Sequence, residues 1–422
     1  LPVSIYLDNN ATTEPPEPVR AAMAEMLDTH WHNPSSVHRP GQAARHRVEL
    51  ARKRLAELIG ARPRQVTICG SGTEAIDLAI RGALLAQGRL GGARKAEPGP
   101  GAIVTTRVEH VAIRDLVGAL EREEGVRTLW ADLDADGLVN LRSFRAMLGS
   151  SPDVALASVQ MANNETGIVQ PVQEIAAICR ERNVLFHTDA TQYVGKMPVV
   201  VEGAEVTRGR GAEGETASAP GRPGACLGVD LLTYSPHKFH GPKGVGVLYS
   251  RPGVRTAPLI HGEQEQGRRG GTENVAGIVG AGVAAELAMA WLADPANIER
   301  GRELRDRFEA AVLRAVPDAH VNGQNSARLW NTSSIGFPRL EAEALLLLLS
   351  ERGVCASAGA ACASGSLEPS PVLRALNIPP EIAHGTLRFS LARTTTWEEL
   401  GAAVEIIAEC VARLRQSMSD VR

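Results

Sequence analysis

Residues 65–88, "QVTICGSGTEAIDLAIRGALLAQG", decide how the chain folds. "QVTICG" (65–70) is a short apolar run that reads as a buried strand, and from Thr73 the apolar spacing becomes helical. A strand ending in small residues and opening directly into a helix is the basic unit of an α/β fold. The first turn of such a helix offers free backbone N–H groups to an anion, the helix dipole favours the negative charge, and Thr73 adds a hydroxyl. There is no GK[ST], which argues against an ATP-binding P-loop. Ala75 stands where the dinucleotide fingerprint has its last glycine. Taken alone, the turn reads equally well as a phosphate cradle or as an ordinary helix cap.

The same rhythm extends outward. Upstream, "GQAARHRVELARKRLAELIG" (41–60) places Ala44, Val48, Ala51, Leu55 and Leu58 at three- and four-residue spacing, an amphipathic helix. Downstream, five segments read as strands with polar C-terminal ends: 101–113, 153–167, 183–192, 229–238 and 243–251. Alternating strands and helices predict an α/β fold with a mainly parallel sheet, whose ligands bind at the carboxyl ends of the strands. From Ala276 the pattern is more helical, and "GTLRFSLARTTTWEEL" (385–400) adds a strand and a helix. We expect a large domain over 16–292 and a smaller α/β domain formed by 1–15 and 293–422. "GRLGGARKAEPGPG" (88–101) reads as a surface connection. Residues 202–228 have almost no large apolar side chains and read as a flexible insertion.

Composition narrows the function classes. With 44% apolar and 22% charged residues in 422, the chain reads as an ordinary globular protein. A net charge of −3 and a pI near 6.5 give no global attraction to nucleic acid or an anionic membrane. The run around Leu345–Leu349 falls far short of the roughly 20 apolar residues that span a bilayer. No basic segment followed by an apolar one opens the sequence. Six scattered cysteines do not make a disulfide framework. These features predict a cytoplasmic location. Neither CxxC nor HExxH occurs, so no metal site is expected.

Two residues sharpen the chemistry. Asp189 follows the apolar run of "FHTDATQYVGK", and Lys238 lies in "YSPHKFHGPKGVG" after another. An aspartate held beside a pyridinium nitrogen and a lysine able to form a Schiff base are two requirements of a pyridoxal-phosphate site. The turn before Thr73 supplies the third, a phosphate cradle. Each has an ordinary alternative: a structural carboxylate, a surface lysine, a helix cap. The combination is stronger than its parts.

"YLDNNATT", "NPSS", "GTEA", "VEHVAI", "ANNETGIVQPV", "HTDATQYVGK", "SPHKFHGPKGVG", "RRGGTEN", "CASGSLEPSPVLRAL" and "LRFSLARTTT" occur in the order seen in cysteine desulfurases. From Tyr6 to Thr396 the chain resembles that family, and "SGSLEPS" resembles its long-loop group, which serves iron–sulfur cluster assembly. The resemblance implies a homodimeric fold-type I enzyme, similar to class V aminotransferases, with pyridoxal 5'-phosphate as cofactor. It implies that Lys238 carries the cofactor as a Schiff base and later moves the substrate's Cα proton. Asp189 would pair with the ring nitrogen, Gln192 with the ring hydroxyl, and His110 would stack on the ring and is a catalytic candidate for deprotonating the thiol. Gly72, Thr73, Ser235 and His237 would hold the phosphate, with Thr272 reaching in from the other subunit. Arg388 would grip the carboxylate of L-cysteine, with Asn164 close to the substrate and to the ring oxygen. Cys362 would take the sulfur as a persulfide, leave alanine, and hand the sulfur to an acceptor such as an iron–sulfur scaffold protein. Selenocysteine lyases share much of this wording, and a class V transaminase or other lyase would keep Lys238 and Asp189 without needing Cys362. A catalytically idle partner-binding protein would need none of these side chains together. One departure from the family stands out: "HGEQEQG" (261–267) has Glu263 and Gln264 where many relatives have glycines.

Within "GVCASAGAACASGSLEPSPVL" (353–373), the two thiols are expected to differ. Cys355 reads as a small buried residue entering the site. Cys362 opens a Gly/Ser/Pro-rich loop of about 355–371 that can move sulfur out of a closed pocket. Ser370 and Pro371 then suit the cap and first position of a helix.

Overall fold

The computed structural model describes residues 4–90, 99–202, 226–359 and 369–420. Strand β1 (Ile5–Tyr6) and helices α1 (Glu17–Asp28) and α2 (Arg39–Glu57) come first, and β2 (Val66–Cys69) with α3 (Gly72–Ala86) forms the strand–turn–helix unit of 65–88. Alternation continues through β3 (Ala102–Thr105), α4 (Val111–Glu124), β4 (Arg127–Trp130), α5 (Leu141–Ser150), β5 (Val154–Ser158), α6 (Val172–Glu181) and β6 (Leu185–Asp189). Strands β7 (Leu231–Tyr234) and β8 (Gly246–Ser250) complete a seven-stranded sheet of order β2-β8-β7-β6-β5-β3-β4. All neighbours are parallel except β8, which runs against both β7 and β2. The α/β expectation holds, with one reversed strand.

Side-chain alternation along the strands supplies both faces of this sheet. Ala102 and Val104 enter one apolar core with α2, α5, α6 and α7, while Ile103 between them enters another with α3 and α4. Leu232 and Leu231 divide in the same way. Helix α3 sits close enough to the sheet that a Cβ on Gly246 would lie 1.9 Å from the Ser71 carbonyl oxygen. Only glycine permits that approach.

Two readings from the sequence are corrected. "GAIVTTRVEHVAI" is a strand only as far as Thr105; Val111 already begins α4, because His110 caps it by accepting the Ala112 N–H at Nδ1 (3.2 Å). The longest apolar stretch is not around Leu345–Leu349 but α7 (Val275–Leu292), with mean hydropathy 1.8, long and apolar enough to cross a membrane. Its glycines instead bring it against other helices: a Cβ on Gly282 would meet Ala51 Cα at 2.7 Å, and one on Gly280 would meet Met23 Cγ at 2.6 Å. Such close backbone packing within the apolar core is that of a buried core helix.

The remaining elements are α8 (Ala296–Ala315), β9 (His320–Val321), β10 (Thr332–Gly336), α9 (Ala342–Glu351), β11 (Val354–Cys355), α10 (Pro371–Ala375), α11 (Pro380–Ala383), β12 (Thr386–Ser390) and α12 (Trp397–Asp420). A sheet of order β12-β10-β9 packs with α8, α9 and α12 around a third core that also includes Leu7. β1 pairs in parallel with β11, Tyr6 opposite Cys355. Cys355 is half-buried there, less enclosed than expected.

Candidate active site

The carboxyl ends of the strands surround a cavity of about 290 Å³. Gly72, Thr73, His110, Asn164, Asp189, Gln192, Ser235, His237 and Lys238 all line it, although they come from five separate stretches of the chain. Thr272 is exposed and does not line the cavity of the single chain. Cys362 lies outside the described residues, as do most of the 202–228 insertion and the centre of the 355–371 loop.

One end of the cavity is the N-terminus of α3. Ser71 caps the helix by accepting the Glu74 N–H at Oγ (3.1 Å), and Glu74 turns back to accept the Gly70 N–H (2.8 Å). A Cβ on Gly72 would sit 3.2 Å from Ser235 Cβ, so the missing side chain leaves the space between α3 and Ser235 open. Arg269 holds Glu74 at 2.7 Å and fixes the turn from outside.

At the other end, buried Asp189 accepts the Thr191 N–H at Oδ1 (3.0 Å). Lys238 sits on the short 3₁₀ turn Pro236–Lys238, and its Nζ donates to the carbonyls of Asn10 (2.8 Å) and Ala11 (2.7 Å). Burial pushes the His110 pKa below the usual imidazole value; Lys238 adds to that push and Asp189 opposes it. A neutral His110 accepting at Nδ1 carries its proton on Nε2. His237 is pushed down to about 3, first by burial and then by Lys238, Lys243 and Lys196. Its Nδ1 lies 3.2 Å from Thr12 Oγ1.

Arg388, on β12, reaches the site from the third core. Its guanidinium donates to the Asn164 carbonyl (3.1 Å) and to Asp8 Oδ1 (2.6 Å), while its buried Nε has no hydrogen-bond partner among the described residues. Its backbone pairs with Ser357, at the root of the 355–371 loop. Glu165 is buried between the two ends of that loop: Ser370 Oγ donates to it at 2.6 Å, and a Cβ on Gly359 would collide with it. Burial raises the Glu165 pKa above the usual carboxylate value.

Several functional neighbours carried no distinguishing signal in the sequence. Lys243, Gln160 and Thr191 line the cavity; Asp8, Asn10 and Lys196 support it. All but Gln160 lie in or beside the blocks that carry the family resemblance, yet spacing gave none of them a role.

The cavity therefore combines a helix N-terminus with a glycine-opened space, a buried carboxylate and a lysine amine facing one another. These are the groups a phosphorylated pyridine aldehyde needs, and the residues present fit it. The comparisons agree. Residues 5–206 and 225–402 match the family described as "Aminotransferase class-V", and the chain belongs to that family. The cysteine desulfurase of Cereibacter sphaeroides is 43% identical over 97% of this chain and 96% of its own length. Cysteine desulfurase NifS of Azotobacter vinelandii is 40% identical over 97% and 93%. Among solved structures, a NifS-like protein superposes with a TM-score of 0.82 at 31% identity, covering 97% of this chain and all of the other.

Proposed function

We propose that the protein is a pyridoxal-phosphate-dependent cysteine desulfurase that moves the sulfur of L-cysteine to Cys362 and on to an acceptor protein for iron–sulfur cluster assembly or other sulfur traffic. The observation carrying this reading is the convergence of Lys238, Asp189 and the α3 N-terminus on one cavity in a chain so similar to cysteine desulfurases. Bound there, pyridoxal phosphate supplies an electron sink for the carbon skeleton of the substrate.

The residues of the chain divide the rest of the work. Lys238 holds the cofactor, and its amine moves the proton at the substrate's Cα. Asp189 would pair with the ring nitrogen, Gln192 would donate to the ring oxygen, and His110 would lie against the ring. Gly72, Thr73, Ser235 and His237 would hold the phosphate, with Thr272 of a second copy completing the site. Arg388 and Asn164 orient L-cysteine by its carboxylate, for which a guanidinium fork is suited. The Cys362 thiolate attacks the substrate sulfur as the C–S bond breaks. The bonding pair stays with carbon, which takes up a proton and leaves as L-alanine. Cys362 becomes a persulfide, so carbon is reduced, the thiol is oxidised, and no outside oxidant enters.

The same reading includes a homodimer, which would cover the exposed Thr272 and large apolar side chains such as Trp31, Val37 and Ile260. It includes a cytoplasmic location, consistent with cysteines that are free at all five described positions. Domains of 16–292 and of 1–15 with 293–422 are supported by the third core, which joins Leu7 to residues beyond 307. An insertion at 202–228 is supported by the family match, which omits 207–224.

The test is to incubate the purified protein with L-cysteine. It yields alanine, and sulfide when a reductant is present. Cys362→Ala abolishes sulfide release while the cofactor's absorbance still responds to cysteine. Undiminished sulfide from that variant would refute the assignment. Under the same conditions a selenocysteine lyase would release selenide from selenocysteine and leave L-cysteine unchanged.

A further inference from the structure

Lys196 is a buried amine to which the desulfurase reaction assigns no part. It is 3% exposed, and among the described residues no carboxylate pairs with it. Its Nζ donates instead to Gln192 Oε1 (2.7 Å) and Asn10 Oδ1 (2.9 Å). Burial and the neighbouring Lys238, Arg388 and Arg393 disfavour its charged form. A neutral amine still has two protons to donate, so both bonds survive in either state.

These two bonds settle the orientation of both amides by chemistry. Gln192 lies between the donating amine of Lys196 and the Asn10 carbonyl, which can only accept. Its oxygen must face Lys196, and its Nε2 must face Asn10 O, at 3.0 Å. The second N–H of Nε2 is then what Gln192 can offer to the cavity it lines. Asn10 is fixed in the same way. Its Oδ1 accepts from Lys196 and from Asn331 (3.1 Å), so its Nδ2 turns to the Asn164 carbonyl (3.1 Å) and Thr332 Oγ1 (2.9 Å). The Asn10 carbonyl accepts from Lys238 as well as Gln192. Lys196 itself is anchored through its backbone, since its carbonyl accepts the Trp330 indole N–H at 3.0 Å.

We infer that Lys196 is a positioning residue for the cofactor: clamped to Gln192 Oε1 and Asn10 Oδ1, it makes Gln192 a hydrogen-bond donor toward the ring oxygen. Without that clamp only the Asn10 carbonyl holds the Gln192 amide, and its oxygen can turn toward the cavity. The inference rests on the cofactor reading above and adds to it the residue that gives Gln192 its polarity.

The experiment is a pH titration of the visible absorbance of the holoenzyme, with the cofactor linked to Lys238 and no substrate present. A donor at the ring oxygen disfavours the protonated linkage, so losing it raises the midpoint. Lys196→Met is expected to raise it by about one pH unit, and Gln192→Leu to raise it similarly. The charged and titratable groups around the linkage, Asp189, His110, His237, Lys243 and Arg388, are unchanged in both variants. Because Lys196 acts through Gln192, adding Lys196→Met to Gln192→Leu moves the midpoint by less than a third of its effect in the native protein. Lys196→Arg, which keeps a donor-only head, holds the native midpoint. If the Met variant does not fold, Lys196→Gln replaces it; its amide can accept from a turned Gln192, and the midpoint rises in the same direction. Equal shifts in the native and Gln192→Leu backgrounds overturn the inference alone. So does weaker cofactor binding with an unmoved midpoint, the signature of a purely structural role. A protein with no visible band that Lys238→Ala abolishes overturns the cofactor reading and this inference with it.

Discussion

Replacing Glu265 with alanine should destabilise the large sheet and loosen the phosphate turn. Glu265 sits within "HGEQEQG", in the left-handed region at φ 52°. It binds Arg52 of α2 through both oxygens (2.5 and 2.7 Å), with the two side chains only 3% and 7% exposed. Its Oε2 also accepts the Ile68 N–H of β2 at 2.9 Å. Alanine leaves the Arg52 guanidinium with Glu49 and a distant Val66 carbonyl, and strips Ile68 of its acceptor. Breaking a buried pair by removing one partner costs about 3–5 kcal/mol, and a buried donor without an acceptor costs about 1–3 kcal/mol. The two overlap because one carboxylate serves both, so we expect a loss of about 4 kcal/mol. Glu265→Gln keeps an acceptor for Ile68 and should lose about half as much. Urea unfolding followed by circular dichroism reads this directly: with an m-value of about 3 kcal/mol per molar, the Glu265→Ala midpoint falls by roughly 1.3 M. Arg52→Met combined with Glu265→Leu should recover most of the stability, since it leaves no charge buried alone. A loss below 1 kcal/mol for Glu265→Ala, or a double variant as unstable as the sum of its parts, would refute the argument.

Two further outcomes follow from the same geometry. Arg388→Lys keeps the charge but not the fork, and should raise the KM for cysteine roughly 10–100-fold without changing the cofactor's absorbance; an unchanged KM would remove Arg388 from the substrate site. His187, fully buried between Ser158 and Thr233, is pushed down to about 3 by burial. Its folded pKa is depressed, so it contributes stability above pH 6.5 that is lost as the pH falls toward 3. In His187→Gln the loss of stability between those limits should be shallower by up to about 1.4 kcal/mol per pH unit, and an unaltered acid limb would show that His187 is charged in the folded protein.

What the sequence disclosed and what it hid separate by range. The turn at 70–73, the strand end at Asp189 and the lysine after β7 are local patterns, and α/β topology alone carries them to one cavity. The reversal of β8 is not local, because "KGVGVLYSR" has the same apolar run whichever way it enters the sheet. Neither is the pairing of Asp8 with Arg388, 380 residues apart, nor that of Lys196 with Asn10, 186 apart. Lys196 was further hidden by its type: a lysine after "YVG" reads as surface until the fold shows it buried. His110 was legible only through the family resemblance, and its place as the cap of α4 needed the backbone.

The N-terminal segment explains how side chains from separate cores act as one site. Asn10 N–H donates to Ser390 Oγ on β12, Asn9 Nδ2 donates to the Ser390 carbonyl, and Thr13 Oγ1 donates to the carbonyl of His237 beside Lys238. Residues 8–13 thus tie the strand bearing Arg388 to the turn bearing Lys238, and any shift between those elements strains the same short strap. That strap also gathers charge: Lys196, Lys238, Arg388 and Arg393 lie close enough to influence one another, and Lys243 lines the cavity. Asp8 is set directly against Arg388, and Asp189 shares the cavity with Lys238 and Lys243. A cluster so rich in cations favours the binding of anions. On the reading proposed above, a phosphate at the α3 end and an amino-acid carboxylate beside Arg388 would add negative charge to that of Asp8 and Asp189.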